Sequence, residues 1–239
     1  MKKLMISLVT VFTMLVAVSS NSMAMGNGQG QQKKMKNPRM VPASQATILQ
    51  DGKNKMYCPV CGMTLPMFYK TNHAAKHKGH DKQYCSIVCA VEDAVVNGTK
   101  LTNFKVVDNS TLKFIDSKKA YFVVGSKMPG TMSVVSKYAF GTKAAADKLV
   151  AKKGGKVMRF DALYALVEKS QAKDMKATKM RQGKAIKKGG MMYKKMCKKT
   201  DKRFASTADA KSFLIKSGIC GKIKGKKHQA IALYLNSRK

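Results

Sequence analysis

The stretch Cys58-Pro-Val-Cys61-Gly-Met63, followed downstream by Cys85-Ser-Ile-Val-Cys89, sets the expectation for the fold of this chain. Two cysteines separated by two residues can both face one ion, because a turn that ends in glycine makes a tight knuckle. Cys85 and Cys89 stand one helical turn apart if a helix begins there, so they also share a face. Thiolate sulfur binds copper(I) or zinc in preference to hard cations. The two pairs predict a soft-metal site with a treble-clef-like layout.

Further candidate ligands lie close to the cysteines. His73, His77 and His80 fall between the two pairs, and Met63 follows the first pair. His73 and His77 would share a face if that segment were helical, and a thioether such as that of Met63 suits copper(I). The alternatives are surface positions for the histidines and core packing for Met63, in a chain with 18 methionines.

The N-terminus predicts export. Two lysines precede an apolar run at residues 4–18, and the small-residue stretch Ser22-Met-Ala24 follows. This is the pattern of a signal peptide cleaved after Ala24, and the run is shorter than the roughly 20 residues of a membrane span. We expect a periplasmic protein. The alternative is an inner-membrane protein anchored by an uncleaved N-terminus.

Six cysteines in an exported chain could also form three disulfides. Cys197 and Cys220 are predicted to form one. For the four cysteines of the two pairs, a metal is favoured because disulfides within Cys-x2-Cys and Cys-x3-Cys would close only small loops. Disulfides there remain the alternative. No cysteine–histidine pair with an orienting acid stands out, so we do not predict an enzyme.

The charge balance is extreme. The chain has 47 Lys and Arg against 12 Asp and Glu, a formal net charge of +35. Nucleic acid is not the predicted partner, because the charge is nearly all lysine, tryptophan is absent and the chain carries an export signal. A solvated lysine surface is the simplest interpretation, and an anionic membrane surface is a possible partner.

Composition divides the chain into five parts. They are a signal peptide (1–24), a flexible leader (25–42), a metal-binding domain (43–170), a basic linker (171–190) and a small helical C-terminal segment (191–239). The metal-binding domain shows an α+β pattern. Its predicted elements are a hairpin of Phe104–Asp108 and Leu112–Asp116, a strand Tyr121–Val124, a helix capped by Thr142 and ended by Gly154, a strand Lys156–Phe160, and a helix from Asp161 through Val167. In the C-terminal segment, Ser206-Thr-Ala-Asp209 predicts a capped helix through Ile215.

Several motifs resemble the NosL family, the copper-binding accessory proteins of nitrous-oxide reductase. They occur in family order over about residues 55–168 and include Tyr57–Met63, Tyr84–Ser86, Ala120–Ser126, Gly130–Met132 and Lys137–Phe140. The resemblance implies a fold of two related ββαβ-like units, as in NosL and organomercury lyase. It also implies copper(I) delivery in the periplasm for assembly of the reductase's copper centres.

The resemblance also ranks the ligands. It makes Cys58, Cys61 and Met63 the first candidates, and places Met132 in a Gly-x-Met element that could complete a thioether-rich site. The chain departs from the family in lacking a lipobox cysteine, in its histidine-containing insertion and in Cys89. The segment after residue 171 lies outside the family and faintly resembles a small c-type cytochrome, but it lacks Cys-x-x-Cys-His, so covalent haem is not predicted.

The leading hypothesis is a periplasmic copper(I) metallochaperone. Its expected partner is a copper-accepting periplasmic protein, nitrous-oxide reductase or its maturation machinery. The alternative is a structural zinc domain of treble-clef type that binds other proteins, with zinc held by the four cysteines of the two pairs.

Overall fold

Two small antiparallel sheets with the same topology form the first part of the molecule. In this computed structural model, residues 37–238 are described. The predicted signal peptide and most of the predicted leader lie outside these residues. Within them, the elements confirm an α+β fold with a helical C-terminal part.

The first sheet has four strands in the order β2-β1-β3-β4. Lys78 and Gly79 join β1 to β2, and both have positive φ, as a tight two-residue hairpin turn requires. The pairing of β3 with β4 confirms the predicted hairpin. The elements are β1 (His73–His77), β2 (His80–Tyr84), α1 (Ile87–Val95), β3 (Thr102–Val107) and β4 (Phe114–Asp116).

The second sheet repeats this arrangement with three strands in the order β6-β5-β7. Its elements are β5 (Tyr121–Val124), β6 (Lys137–Phe140), α2 (Lys143–Lys153) and β7 (Lys156–Met158). In each sheet the first strand is central, flanked by the second strand and by the strand after the helix. Two ββαβ units are therefore present, as predicted. The Thr142 side chain caps α2 by accepting from the Ala145 N–H, and Gly154, with φ +68°, ends it.

The predicted linker 171–190 is wrong as an element, because these residues belong to the 37-residue helix α3 (Phe160–Met196). The helix begins one residue earlier than the predicted cap at Asp161 and does not stop at Val167. The linker was inferred from a lack of aliphatic residues, but helix packing here uses small residues. A Cβ at Gly189 would collide with the Ala230 carbonyl of the last helix, so glycine permits close approach.

The C-terminal segment is helical, as predicted. It comprises α4 (Thr207–Ser217) and α5 (Gly225–Ser237). The Ser206 Oγ accepts from the Asp209 N–H at 3.0 Å, which confirms the predicted cap. The predicted disulfide Cys197–Cys220 is present. None of the helices within residues 37–238 is long and apolar enough to cross a membrane.

The end of the predicted leader is held against the body. The Asn37 side chain donates to the Met67 carbonyl at 2.7 Å. Val41 is buried with Tyr69, and its N–H donates to the Pro66 carbonyl. Residues 37–42 are thus part of the folded unit rather than flexible leader, because Val41 supplies an apolar anchor.

A buried carboxylate fixes the corner between β2 and α1. Asp93 on α1 accepts from the Tyr84 hydroxyl at 2.7 Å and the Thr99 hydroxyl at 2.9 Å, and pairs with the Lys82 ammonium. Burial raises the pKa of Asp93, but the Lys82 ion pair and the hydrogen bonds outweigh it, so the pKa lies below its usual value. This corner carries both cysteines of the second pair.

Replacing Asp93 by asparagine should lower the free energy of unfolding by about 2–3 kcal/mol at neutral pH, because charge-assisted hydrogen bonds are lost. A lowered folded-state pKa gives stability that is present above the unfolded pKa of about 3.9 and is lost as the pH falls below it. Urea unfolding at pH 7 and pH 3 should show the difference between wild type and D93N shrinking at pH 3. D147N, at an exposed acid, is the control; an equal D93N deficit at both pH values would contradict the account.

Candidate metal centre

Four cysteine sulfur atoms come together in the core. The sulfur atoms of Cys58, Cys61, Cys85 and Cys89 all lie within 4.8 Å of one another. All four are free thiols, and their side chains are at most 4% exposed. The described structure therefore brings the two predicted pairs into one cluster.

The sulfur separations fit metal binding rather than disulfides. The Sγ atoms of Cys61 and Cys85 lie 3.5 Å apart, and those of Cys85 and Cys89 lie 3.7 Å apart. A disulfide requires about 2.05 Å. A tetrahedron of sulfur around zinc, with bonds of about 2.3 Å, has edges of about 3.8 Å. The cluster is close to the size of a four-sulfur metal site.

Local hydrogen bonds shape the first pair into the predicted knuckle. The Cys58 N–H donates to the Met63 carbonyl at 2.9 Å, and the Gly62 N–H donates to the Cys58 carbonyl at 2.8 Å. Gly62 has φ +69°, a conformation that glycine adopts without strain. This turn points both sulfur atoms of the first pair toward the core.

The second pair lies where β2 runs into α1. Cys85 follows the last residue of β2, and Cys89 lies in the first turn of α1. The Thr71 hydroxyl donates to the Cys85 carbonyl at 2.9 Å and holds the corner in place. The knuckle and the strand–helix corner together make the predicted treble-clef-like layout.

Three of the four thiols have shifted pKa values. Burial raises the pKa of Cys58, but hydrogen bonds from Cys61, Cys85 and Cys89 outweigh it and hold that pKa well below its usual value. The hydrogen bond to Cys58 is the main cause that raises the pKa of Cys85 and of Cys89 well above the usual value. Cys58 thus supplies the first thiolate. An ion that binds all four sulfurs must displace protons, so its affinity falls in acid.

One side of the cluster opens onto a cleft of about 450 Å³. Cys61, Met63 and Met132 all line it, so the two predicted methionines lie beside the cysteine site. Met132 is held in a left-handed backbone conformation, φ +63°, and its carbonyl accepts from the Thr178 hydroxyl on α3 at 3.2 Å. The methionines' role as ligands stays a prediction. Of the four cysteines, Cys61 is the one that borders this cleft.

The three predicted histidines are not part of the cysteine cluster. His73 and His77 lie on strand β1 rather than on a helix. His73 is buried and stacks on Phe122, and burial lowers its pKa to about 4, so the ring is neutral at pH 7. His77 Nδ1 lies 3.0 Å from the Lys100 carbonyl, and His80 is exposed at the hairpin turn. His73 is thus a core residue of β1, while His77 and His80 lie at the hairpin end of the sheet.

Two residues that contact the site were not predicted from the sequence. Lys211 and Gln229, on α4 and α5, hydrogen-bond to backbone carbonyls of the knuckle. Neither has a local motif, and Lys211 is one of many lysines. Only the packing of the C-terminal segment against the knuckle reveals them.

Four convergent thiols buried beside paired ββαβ units make a candidate soft-metal site. A sequence model of the NosL family matches residues 50–167, the span that holds both sheets and both cysteine pairs, so this part of the chain is a NosL-family region. A solved structure, the copper chaperone NosL from Shewanella denitrificans, is 24% identical; the match covers 52% of this chain and 95% of that one, with a TM-score of 0.38. Comparison with curated proteins gives no match.

The cysteine arrangement predicts a definite thiol count. Protein purified without oxygen and unfolded without reductant should show four reactive thiols per chain, because only Cys197 and Cys220 are bonded to each other. After reduction the count should rise to six. Alkylation followed by mass spectrometry gives both numbers and locates the labels. Two or no free thiols before reduction would show that the two pairs form disulfides.

Proposed function

We propose that this chain is a copper(I) chaperone: it binds one Cu⁺ ion at the four-cysteine cluster and passes it to a protein with better-placed ligands. The observation that carries the proposal is the convergence of four free, buried thiols within 4.8 Å inside the NosL-family region. Thiolate and thioether sulfur are the donors that copper(I) prefers.

Transfer requires a way for an acceptor to reach the bound ion. Cys61 lines the open cleft, with Met63 and Met132 beside it. A thioether can hold the ion while an incoming ligand replaces a thiolate, so the ion need not pass through water unbound. This ligand exchange makes and breaks only metal–ligand bonds, and no enzymatic role is proposed.

The acceptor is proposed to be a copper protein in the periplasm, nitrous-oxide reductase or its maturation machinery. The signal-peptide pattern of the N-terminus supports the compartment, and the family assignment of residues 50–167 supports the pathway. The net charge of +35 would speed encounter with an acidic acceptor, at rates that fall as salt rises. The same charge suits an anionic membrane surface.

The second candidate is a structural zinc site. The near-complete burial of all four thiols and the sulfur separations of 3.5 and 3.7 Å favour it, because structural zinc sites are closed four-sulfur tetrahedra. Zinc held in this way would stabilise the fold and would not be exchanged through the cleft.

Competition with a calibrated copper(I) chelator tests the chaperone proposal. Anaerobic, reduced protein should bind one Cu⁺ per chain, and the double variant C58S/C61S should bind at least about 100-fold more weakly, equivalent to about 3 kcal/mol. M132L tests the thioether, with M180L as a matched control, because Met180 is exposed on α3 away from the cleft lining.

The competing outcome is distinct. A chain that retains zinc against copper(I), and that unfolds when the zinc is removed, is a structural zinc domain. Equal copper(I) affinity in the wild type and in C58S/C61S would also contradict the chaperone proposal.

A further inference from the structure

The C-terminal helices pack directly on the cysteine knuckle. Thr207 at the start of α4 lies against Gly62 in the knuckle, where a Cβ on Gly62 would lie 2.6 Å from the Thr207 methyl carbon. Asn54 donates to the Asp209 carboxylate at 2.8 Å alongside. Residues 168–238 lie beyond the NosL-family match, so this contact joins a family region to a segment outside it.

Two side chains from this segment hold the knuckle backbone. The Lys211 ammonium donates to the Gly62 carbonyl at 2.9 Å and to the Thr64 hydroxyl at 3.0 Å. The Gln229 amide donates to the Cys61 carbonyl at 3.0 Å. These bonds fix the turn that carries Cys61, the thiol that lines the cleft.

Lys211 is an unusual lysine. It is only 2% exposed, whereas most of the lysines within residues 37–238 are exposed. Its Nζ lies 4.7 Å from the centre of the Tyr57 ring. Within residues 37–238, no carboxylate lies within salt-bridge distance of it. An ammonium buried without an anion is costly, so such a group normally has a charged partner.

A cysteine cluster that holds a metal would provide that partner, because Lys211 donates to the carbonyl of Gly62, the residue next to Cys61. Burial lowers the pKa of Lys211 to about 8. A cluster that binds a metal is anionic: Cu⁺ on four sulfurs of which two are ionised carries −1, and Zn²⁺ on four thiolates carries −2. One fixed ammonium beside the knuckle offsets part or all of this charge.

We propose that the C-terminal segment completes the metal centre, with Lys211 as a positioning residue that fixes the knuckle and supplies the positive charge that the metal–thiolate centre requires. This inference rests on the proposed metal-binding function. It extends the site beyond the NosL-family region to a residue of α4. The hydrogen bond from Gln229 also positions the knuckle, but it adds no charge.

The test compares three single variants of the full chain in binding Cu⁺ and Co²⁺, each added alone. K211M removes the charge and the hydrogen bonds, Q229L removes only a neutral hydrogen bond, and K216M removes an exposed lysine from the same helix. Loss of an outer partner of a metal ligand typically lowers affinity about 10- to 100-fold. We expect this loss in K211M, a smaller loss in Q229L and wild-type affinity in K216M.

The Co²⁺ spectrum separates charge from simple structural support. Without the ammonium, the sulfur electrons are held less tightly, so the thiolate-to-cobalt charge-transfer band of K211M should move to longer wavelength. Q229L and K216M should keep the wild-type band. If the circular dichroism spectrum of K211M differs from that of the wild type, K211Q replaces it in both measurements, because glutamine keeps a hydrogen-bond donor but removes the charge.

Two results overturn the inference at different levels. Wild-type affinity and band position in the Lys211 variants would overturn the role of Lys211 and leave the proposed metal function standing. A wild-type chain that takes up neither ion would overturn the metal site itself, and the role of Lys211 with it.

Discussion

The convergence of four cysteine sulfurs from two separate segments is the constraint on which the rest of the site depends. Cys58 and Cys61 come from a glycine-ended turn, and Cys85 and Cys89 from the strand–helix corner after β2. Thiolates held this close repel one another unless protons or an ion lie between them. The surrounding structure therefore has to fix both segments. The Asp93 network holds the corner, and hydrogen bonds from the C-terminal helices hold the turn.

The two ββαβ units supply the strand–helix corner and the core behind the cluster, whereas the knuckle with Cys58 and Cys61 lies before β1. The first unit carries the strand–helix corner, and the second unit closes the core below it with Phe122 and Ala139. The loop before β6 then brings Met132 to the cleft beside Cys61. One face of the cluster is therefore buried in a rigid core, while the other is reached from the cleft. That asymmetry is compatible with the proposed chaperone function.

Sequence alone predicted the parts of this site that depend on short-range spacing. The Cys-x2-Cys-Gly knuckle, the Cys85–Cys89 helix turn and the caps at Thr142 and Ser206 are all local patterns, and the NosL resemblance added the paired ββαβ units. The failures are long-range. Helix α3 runs through the predicted linker, where Gly189 and Gly190 pack against α5, over 30 residues further along the chain. Lys211 could not be found from sequence, because only burial distinguishes it from the other lysines.

The central claim is that one soft ion is held by sulfur from all four cysteines. X-ray absorption spectroscopy of the reduced full chain, loaded with one equivalent of zinc, tests this most directly. The account predicts a first shell of four sulfur atoms at about 2.3 Å and no nitrogen or oxygen. A shell that contains histidine nitrogen, or fewer than four sulfurs completed by oxygen, would contradict it.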